Sequence, residues 1–156
     1  MANQTQRPDT ALLNTSHLMQ YHDLIESIVA AMDARDAYTA KHSDRVADMV
    51  LVLATALDLS EDETTLLHMA AHLHDIGKIA VPDSVLRKAG PLTNPEWEEM
   101  RRHPVTGYEI LRKVDDFKEI AVLVRHHHER WDGRGYPDGL RGADIPLGSR
   151  ILAVAD

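Results

Sequence analysis

Histidine, aspartate and lysine fall in short runs along this chain, and their types suit metal-assisted chemistry. His74-Asp75 is followed one turn later by Lys78, beyond Gly77. Adjacent helical residues point about 100° apart. His74 and Asp75 would therefore touch neighbouring points of one cluster: a carboxylate can bridge two cations while the imidazole binds one. His42, His103-Pro104 and the run His126-His127-His128-Glu129 supply further imidazoles. Each has an ordinary reading, since a His at a helix C-terminus complements the helix dipole and a lone His is commonly a satisfied surface or core residue. Taken together, in a chain with 10 His, 25 Asp+Glu and 0 Cys, they point to a nitrogen-and-oxygen metal site. Such donors suit iron, manganese, nickel or zinc more than calcium. His68 and His72 form a rival pair at the i,i+4 spacing of two zinc ligands. The Glu of a His-Glu-x-x-His metalloprotease is missing, however. Their face is expected against core or solvent, away from the cluster, and His17 and His22 read as surface residues.

These side chains need helices to position them. Residues 20–34 carry Leu24, Ile25, Ile28, Val29 and Met32 at helical spacing, and residues 40–58 carry Val46, Met49, Val50, Leu53 and Leu57. Ser60 and Glu63 form a capping-box start for a helix with the face Leu66, Leu67, Ala70, Ala71 and Leu73, ending near His74-Asp75. Asn94-Pro95 reads as N-cap and first-turn proline of a helix to about Arg102. Pro104 opens another, and 116–127 forms one more. Five of the 8 glycines fall between 133 and 148, with Pro137 and Pro146, so about 129–148 reads as an ordered loop before a last helix at 151–156. The fold class is all-α, without repeats.

Composition bounds the function. The 156 residues suit one domain. Residues 1–75 hold 4 basic and 12 acidic side chains, and 76–156 hold 13 of each, so no basic stripe exists for a nucleic-acid polymer. No apolar run approaches the ~20 residues of a membrane helix. The N-terminus also lacks a signal-peptide core, so the expected location is cytoplasmic.

The ordered strings resemble the HD-GYP domain family. They are Arg35-Asp36-Ala37-Tyr38-Thr39 with His42-Ser43 and Arg45-Val46, Leu73-His74-Asp75-Ile76-Gly77-Lys78-Ile79, and His103-Pro104 with Gly107. The series continues through His127-His128-Glu129, Trp131-Asp132-Gly133, Gly135-Tyr136-Pro137 and Gly139-Leu140, to Val154-Ala155-Asp156. The resemblance covers about 24–156. It implies an HD-domain helical bundle and a metal-dependent phosphodiesterase that hydrolyses cyclic di-GMP to pGpG, with GMP as a further product, through a hydroxide bridging two divalent ions. Position by position, His42, His74, Asp75, His103, His127, His128 and Asp156 match the family's metal ligands. Asp75 matches the bridging carboxylate; His103, His127 and His128 match the ligands of one ion, and His42, His74 and Asp156 those of the other. Iron or manganese is the expected metal, with nickel or zinc as alternatives. Lys78 matches the lysine at the scissile phosphate, where it would neutralise growing charge. Gly135-Tyr136-Pro137 matches the signature associated with substrate-side loop structure and with docking of diguanylate cyclase (GGDEF-type) domains.

Some relatives carry Glu four residues before the first ligand His and hold a third metal; Tyr38 stands there here, so two metals are expected. The family also continues past Asp156 with further helices and an arginine-containing stretch. The chain therefore reads as an HD-GYP-type domain over 20–156 lacking its C-terminal helices, after a tail or linker remnant at 1–19, with the family's upstream regulatory domain absent. Two other readings stand beside the enzyme. One is a non-catalytic signalling module that binds metal or nucleotide and docks a partner through 132–147, with Arg130, Arg134 and Arg141 facing that partner. The other is a different HD-type nucleotide phosphohydrolase.

Overall fold

The computed structural model describes residues 19–35 and 41–156, all-α and without a strand over that range. Residues 1–18 of the tail expected at 1–19, His17 among them, lie outside the described residues, as does Tyr38, and Met19 stands in the first 3₁₀ turn. The helices in chain order are α1 His22–Arg35, α2 His42–Ala56, α3 Glu61–Leu73, the single turn α4 Asp83–Leu86, α5 Asn94–Met100, α6 His103–Leu111, α7 Lys118–Arg125 and α8 Leu147–Ala155. Tighter 3₁₀ turns occupy Met19–Tyr21, Ile76–Ala80, Asp115–Phe117 and Gly142–Asp144. The last of these is the only helical turn in the Gly/Pro-rich segment between α7 and α8.

The start of α3 forms as its sequence dictates. Ser60 Oγ accepts from the Glu63 N–H at 3.3 Å while the Glu63 carboxylate accepts from the Ser60 N–H at 2.9 Å. At α5 the expected cap shifts by one residue. Thr93 takes the place assigned to Asn94, because the carboxylate that closes the box, Glu96, lies three residues after Thr93 and accepts its N–H at 2.7 Å. That helix ends at Met100, short of Arg102.

Helix α3 is the central element, packed against α1, α2, α7 and α8. Met69, Ala70 and Ala71 are fully buried in it. The buried face of α2 is Ser43, Val46, Ala47, Val50 and Ala54. Met49 and Leu57, expected on that face, are 47% and 52% exposed. Met49 is rotated about 120° from the centre of the stripe, and Leu57 lies beyond the last helical residue. Small residues take the buried centre instead, where the α2 and α3 backbones approach closely. Likewise α1 buries Ile25 and Val29 but leaves Leu24 outside.

Past Leu73 the chain tightens into the Ile76–Ala80 turn, which packs on α6. Gly77 makes this contact possible: a Cβ there would overlap the His103 carbonyl. The turn thus brings Asp75 and Lys78 up to the start of α6. Among the described residues no helix is long and apolar enough to cross a membrane.

Candidate metal centre

Three buried imidazoles are aimed by one repeated device. His74 Nδ1 donates to Ala71 O at 2.7 Å, His103 Nδ1 to Met100 O at 2.8 Å, and His127 Nδ1 to Val124 O at 2.6 Å. Each carbonyl lies three residues earlier, in the last turn of a helix, where no intrahelical donor remains. In the neutral ring the bond fixes the tautomer, with the proton on Nδ1 and the lone pair on Nε2. Those Nε2 atoms converge.

Asp75 stands between them. Its Oδ2 is 3.3 Å from His74 Nε2, and its Oδ1 is 3.4 Å from His103 Nε2. Lys78 Nζ donates to Oδ2 at 2.7 Å. On the His74 side, Asp156 Oδ1 at the end of α8 lies 2.8 Å from His42 Nε2 and 3.6 Å from His74 Nε2. On the other side, nitrogens of His103, His127 and His128 all lie within 4.8 Å of one another. The seven residues expected as metal ligands therefore meet in one place, as two sets sharing Asp75.

The electrostatics fit cations. Burial opposes charge on His74, but Asp75 and Asp156 prevail and raise its pKa to about 10. Asp75 is held well below the usual carboxylate range, against its burial, by His74, Lys78 and His103. Burial, reinforced by neighbouring positive groups, pushes His103 down to about 4 and His127 and His128 to about 3, so these three are neutral donors. His74 Nε2 is buried without a hydrogen bond, and the His103 and His127 Nε2 atoms face each other at 3.3 Å with both Nδ1 protons already committed. Lone pairs set against one another in a dry site are costly unless a cation lies between them.

Supports surround the centre. Arg35, at the end of α1, donates to the carbonyls of Lys78, Ile79 and Val81 at 3.0, 2.7 and 2.6 Å and to Asp83 Oδ1 at 2.8 Å, clamping the segment that carries Lys78. Tyr136 does not present a free face. Its ring stacks on His128 at 4.8 Å and 30°, and the Arg101 guanidinium covers it at 4.7 Å. Gly135 lets this loop lie on the Glu129–Arg130 backbone, which a Cβ would overlap. Pro137 follows a cis peptide bond. Glu129 is buried, and its Oε1 accepts from the Asp138 and Gly139 N–H groups at 2.7 and 3.0 Å. His126 turns away from the centre and pairs with Asp138 at 3.0 Å. His22, expected on the surface, is partly buried against His68 and His72. The roles of Arg35, Arg101 and Glu129 were not apparent from residue types; only the adjacency of Glu129 to the histidine run hinted at one.

A family model described as HD domain matches residues 22–156. The chain belongs to the HD-domain family. Among curated proteins, this HD domain is 46% identical over 136 residues to a cyclic di-GMP phosphodiesterase response regulator of Xanthomonas campestris, covering 86% of this chain and 36% of that protein. It is 43% identical over 139 residues to the 3′3′-cGAMP-specific phosphodiesterase 2 of Vibrio cholerae, covering 86% and 26%. It is 40% identical over 136 residues to a cyclic di-GMP phosphodiesterase of Thermotoga maritima, covering 86% and 37%. The HD domain thus spans about a third of the length of these relatives, whose names agree with the HD-GYP resemblance. HD-domain phosphohydrolases depend on metal, and this chain carries His/Asp clusters that could hold one.

Proposed function

We propose that this HD domain is a phosphodiesterase of cyclic dinucleotides, with cyclic di-GMP as substrate and pGpG as product. The observation that carries the reading is Asp75, whose two oxygens face two different imidazole sets. His42, His74 and Asp156 would hold one divalent cation and His103, His127 and His128 the other, with Asp75 shared. The nitrogen-and-oxygen donor set suits iron, manganese, nickel or zinc more than calcium, and the family resemblance favours iron or manganese among them. Cations held there supply Lewis acidity, neutralising phosphoryl oxygens and acidifying water.

The chain's own groups do the rest. Lys78 Nζ, held on Asp75 by the Arg35-clamped turn, is positioned to meet a non-bridging phosphate oxygen and stabilise charge as it grows. The buried Nδ1–carbonyl bonds keep the imidazoles from rotating, so the site is organised before substrate arrives. Tyr136 keeps His128 in place; burial pushes its hydroxyl pKa up to about 12, so the ring remains neutral.

The loop between α7 and α8 supports a second role, docking of a diguanylate cyclase (GGDEF-type) domain. Trp131 is 64% exposed there. Arg130 and Arg134 are bound to Asp132 at 2.9 and 3.1 Å, so the tryptophan is the better candidate contact. Trp131→Ala should weaken pull-down of such a domain and leave hydrolysis intact; equal capture would sink the docking role.

Metal analysis of anaerobically purified protein, with cyclic di-GMP and 3′3′-cGAMP hydrolysis followed in the same sample, tests the enzyme. Two metals per chain with pGpG formed is the expected result. Two metals with neither dinucleotide cleaved would favour a non-catalytic module, and cleavage only of other nucleotides would favour a different HD-type hydrolase.

A further inference from the structure

A second group of imidazoles lies in the seam between α1 and α3, away from Asp75. His68 and His72 stand one turn apart on α3, and His22 opens α1. The rings contact one another. His68 and His72 have centroids 4.7 Å apart at 87°, and His22 lies 5.9 Å from His72 and 6.1 Å from His68. Nitrogens of all three fall within 4.8 Å of each other.

The closest pair has the spacing of shared coordination. His68 Nε2 and His72 Nε2 are 3.3 Å apart. Two nitrogens bound tetrahedrally to one zinc at ~2.0–2.1 Å stand about 3.3 Å from each other. His22 starts α1 and is partly exposed, and one of its ring nitrogens lies within 4.8 Å of theirs.

The Nδ1 atoms of His68 and His72 are buried and make no hydrogen bond. Asp44 Oδ1 lies 3.9 Å from His72 Nδ1, on the side where an outer carboxylate orients a ligating imidazole. Glu26 Oε1 is 3.7 Å from His22 Nδ1 and offers a fourth, oxygen donor at the rim. A cleft of about 260 Å³ lined by Glu26, Asp44 and His72 among others gives access. Two Nε2 atoms 3.3 Å apart in a helix seam must share a proton or a cation, and a cation between them would satisfy both.

We propose that His22, His68 and His72 bind a divalent transition-metal ion, zinc by its donor chemistry, with Glu26 completing a tetrahedron. The ion ties α1 to α3. The last turn of α3 runs directly into His74-Asp75, and the far end of α1 carries Arg35, which clamps the Lys78 segment. The site therefore braces both supports of the Asp75 centre. It uses none of that centre's residues and is independent of the hydrolytic reading.

The test is a cobalt(II) titration of the full chain, first loaded with manganese, compared with His22→Gln and His68→Gln. His22 is at a helix start, so its variant keeps the fold, as far-ultraviolet circular dichroism would register. The wild type should develop the visible absorption of tetrahedral cobalt at one equivalent, with manganese retained. Loss of a direct ligand should weaken this by more than the ~10–100-fold typical of an outer-sphere change. Zinc bound per chain should fall by one in His68→Gln. Identical cobalt spectra and affinities in all three proteins would overturn the proposal. So would a signal that disappears in His103→Ala but persists in His22→Gln, which would place the cobalt at the Asp75 centre. Failure of hydrolysis, measured separately, would leave this outcome unaffected.

Discussion

Asp75 has one oxygen for each half of the imidazole cluster, so its removal should cost more than one ligand. Asp75→Ala is expected to lose the binuclear complement: metal analysis should find fewer than two ions per chain, and two retained would overturn the shared-carboxylate assignment. Lys78 differs, because it donates to the Asp75 carboxylate and is not among the expected metal donors. Lys78→Met should keep both ions and lower kcat by on the order of 10²–10³, as removal of one charge-stabilising donor does; loss of metal in that variant would contradict its role. Tyr136 acts through its ring face, held between His128 and Arg101. Tyr136→Phe should preserve turnover, whereas Tyr136→Ala should release His128 and reduce metal affinity, measured by competition with a chelator. Residue types singled out His42, His74, Asp75, His103 and the 126–128 run, while Asp156 and the choice of His127 and His128 came from the family resemblance. It assigned Tyr136 to the substrate side, because a stack between residues 101, 128 and 136 arises only when α5 and the loop meet.

At the scale of the element, two short features decide whether the site assembles. The Ser60–Glu63 box starts the helix that delivers His74. Ser60→Ala should cost about 1 kcal/mol, or a Tm drop of roughly 2–4 °C for a domain of this size, read by thermal denaturation. Gly77 sits where the turn after α3 meets the His103 carbonyl. Gly77→Ala should force that turn away from α6, separating Asp75 from His103. Loss of metal should then accompany any loss of stability, and a variant that binds both ions normally would refute the close contact. The capping box was legible because its chemistry lies within four residues. The buried face of α2 was less so: Ser43, Ala47 and Ala54 fill its centre, and a pattern of large apolar side chains passes over small ones chosen for close helix approach. The one-residue shift at Thr93 has a similar origin, since two capping residues stand side by side and only the position of Glu96 selects between them.

For the whole molecule, the candidate donors come from the start of α2, the ends of α3, α7 and α8, and the α5–α6 junction. Cations there would tie most of the bundle together, and binding to the folded state alone stabilises by about 2.7 kcal/mol at a hundredfold excess over Kd. Chelation followed by dialysis should therefore lower Tm by roughly 5–10 °C, and readdition of manganese should restore it; an unchanged Tm would mean the donors hold no structural ion. The all-α class was legible in periodicity. The joining of five distant segments at one point was legible only through family resemblance, because no local pattern states which helix ends will meet. The inner imidazoles have one more consequence. Each takes its direction from a carbonyl three residues before it, so the information that aims a ring is written in a four-residue word. Between these words, insertions in exposed connections such as 87–93 should leave every ring aimed as before. Within them, a single deletion would turn the ring by about 100°. The chain is free to change length between its words, and bound to spell each one intact.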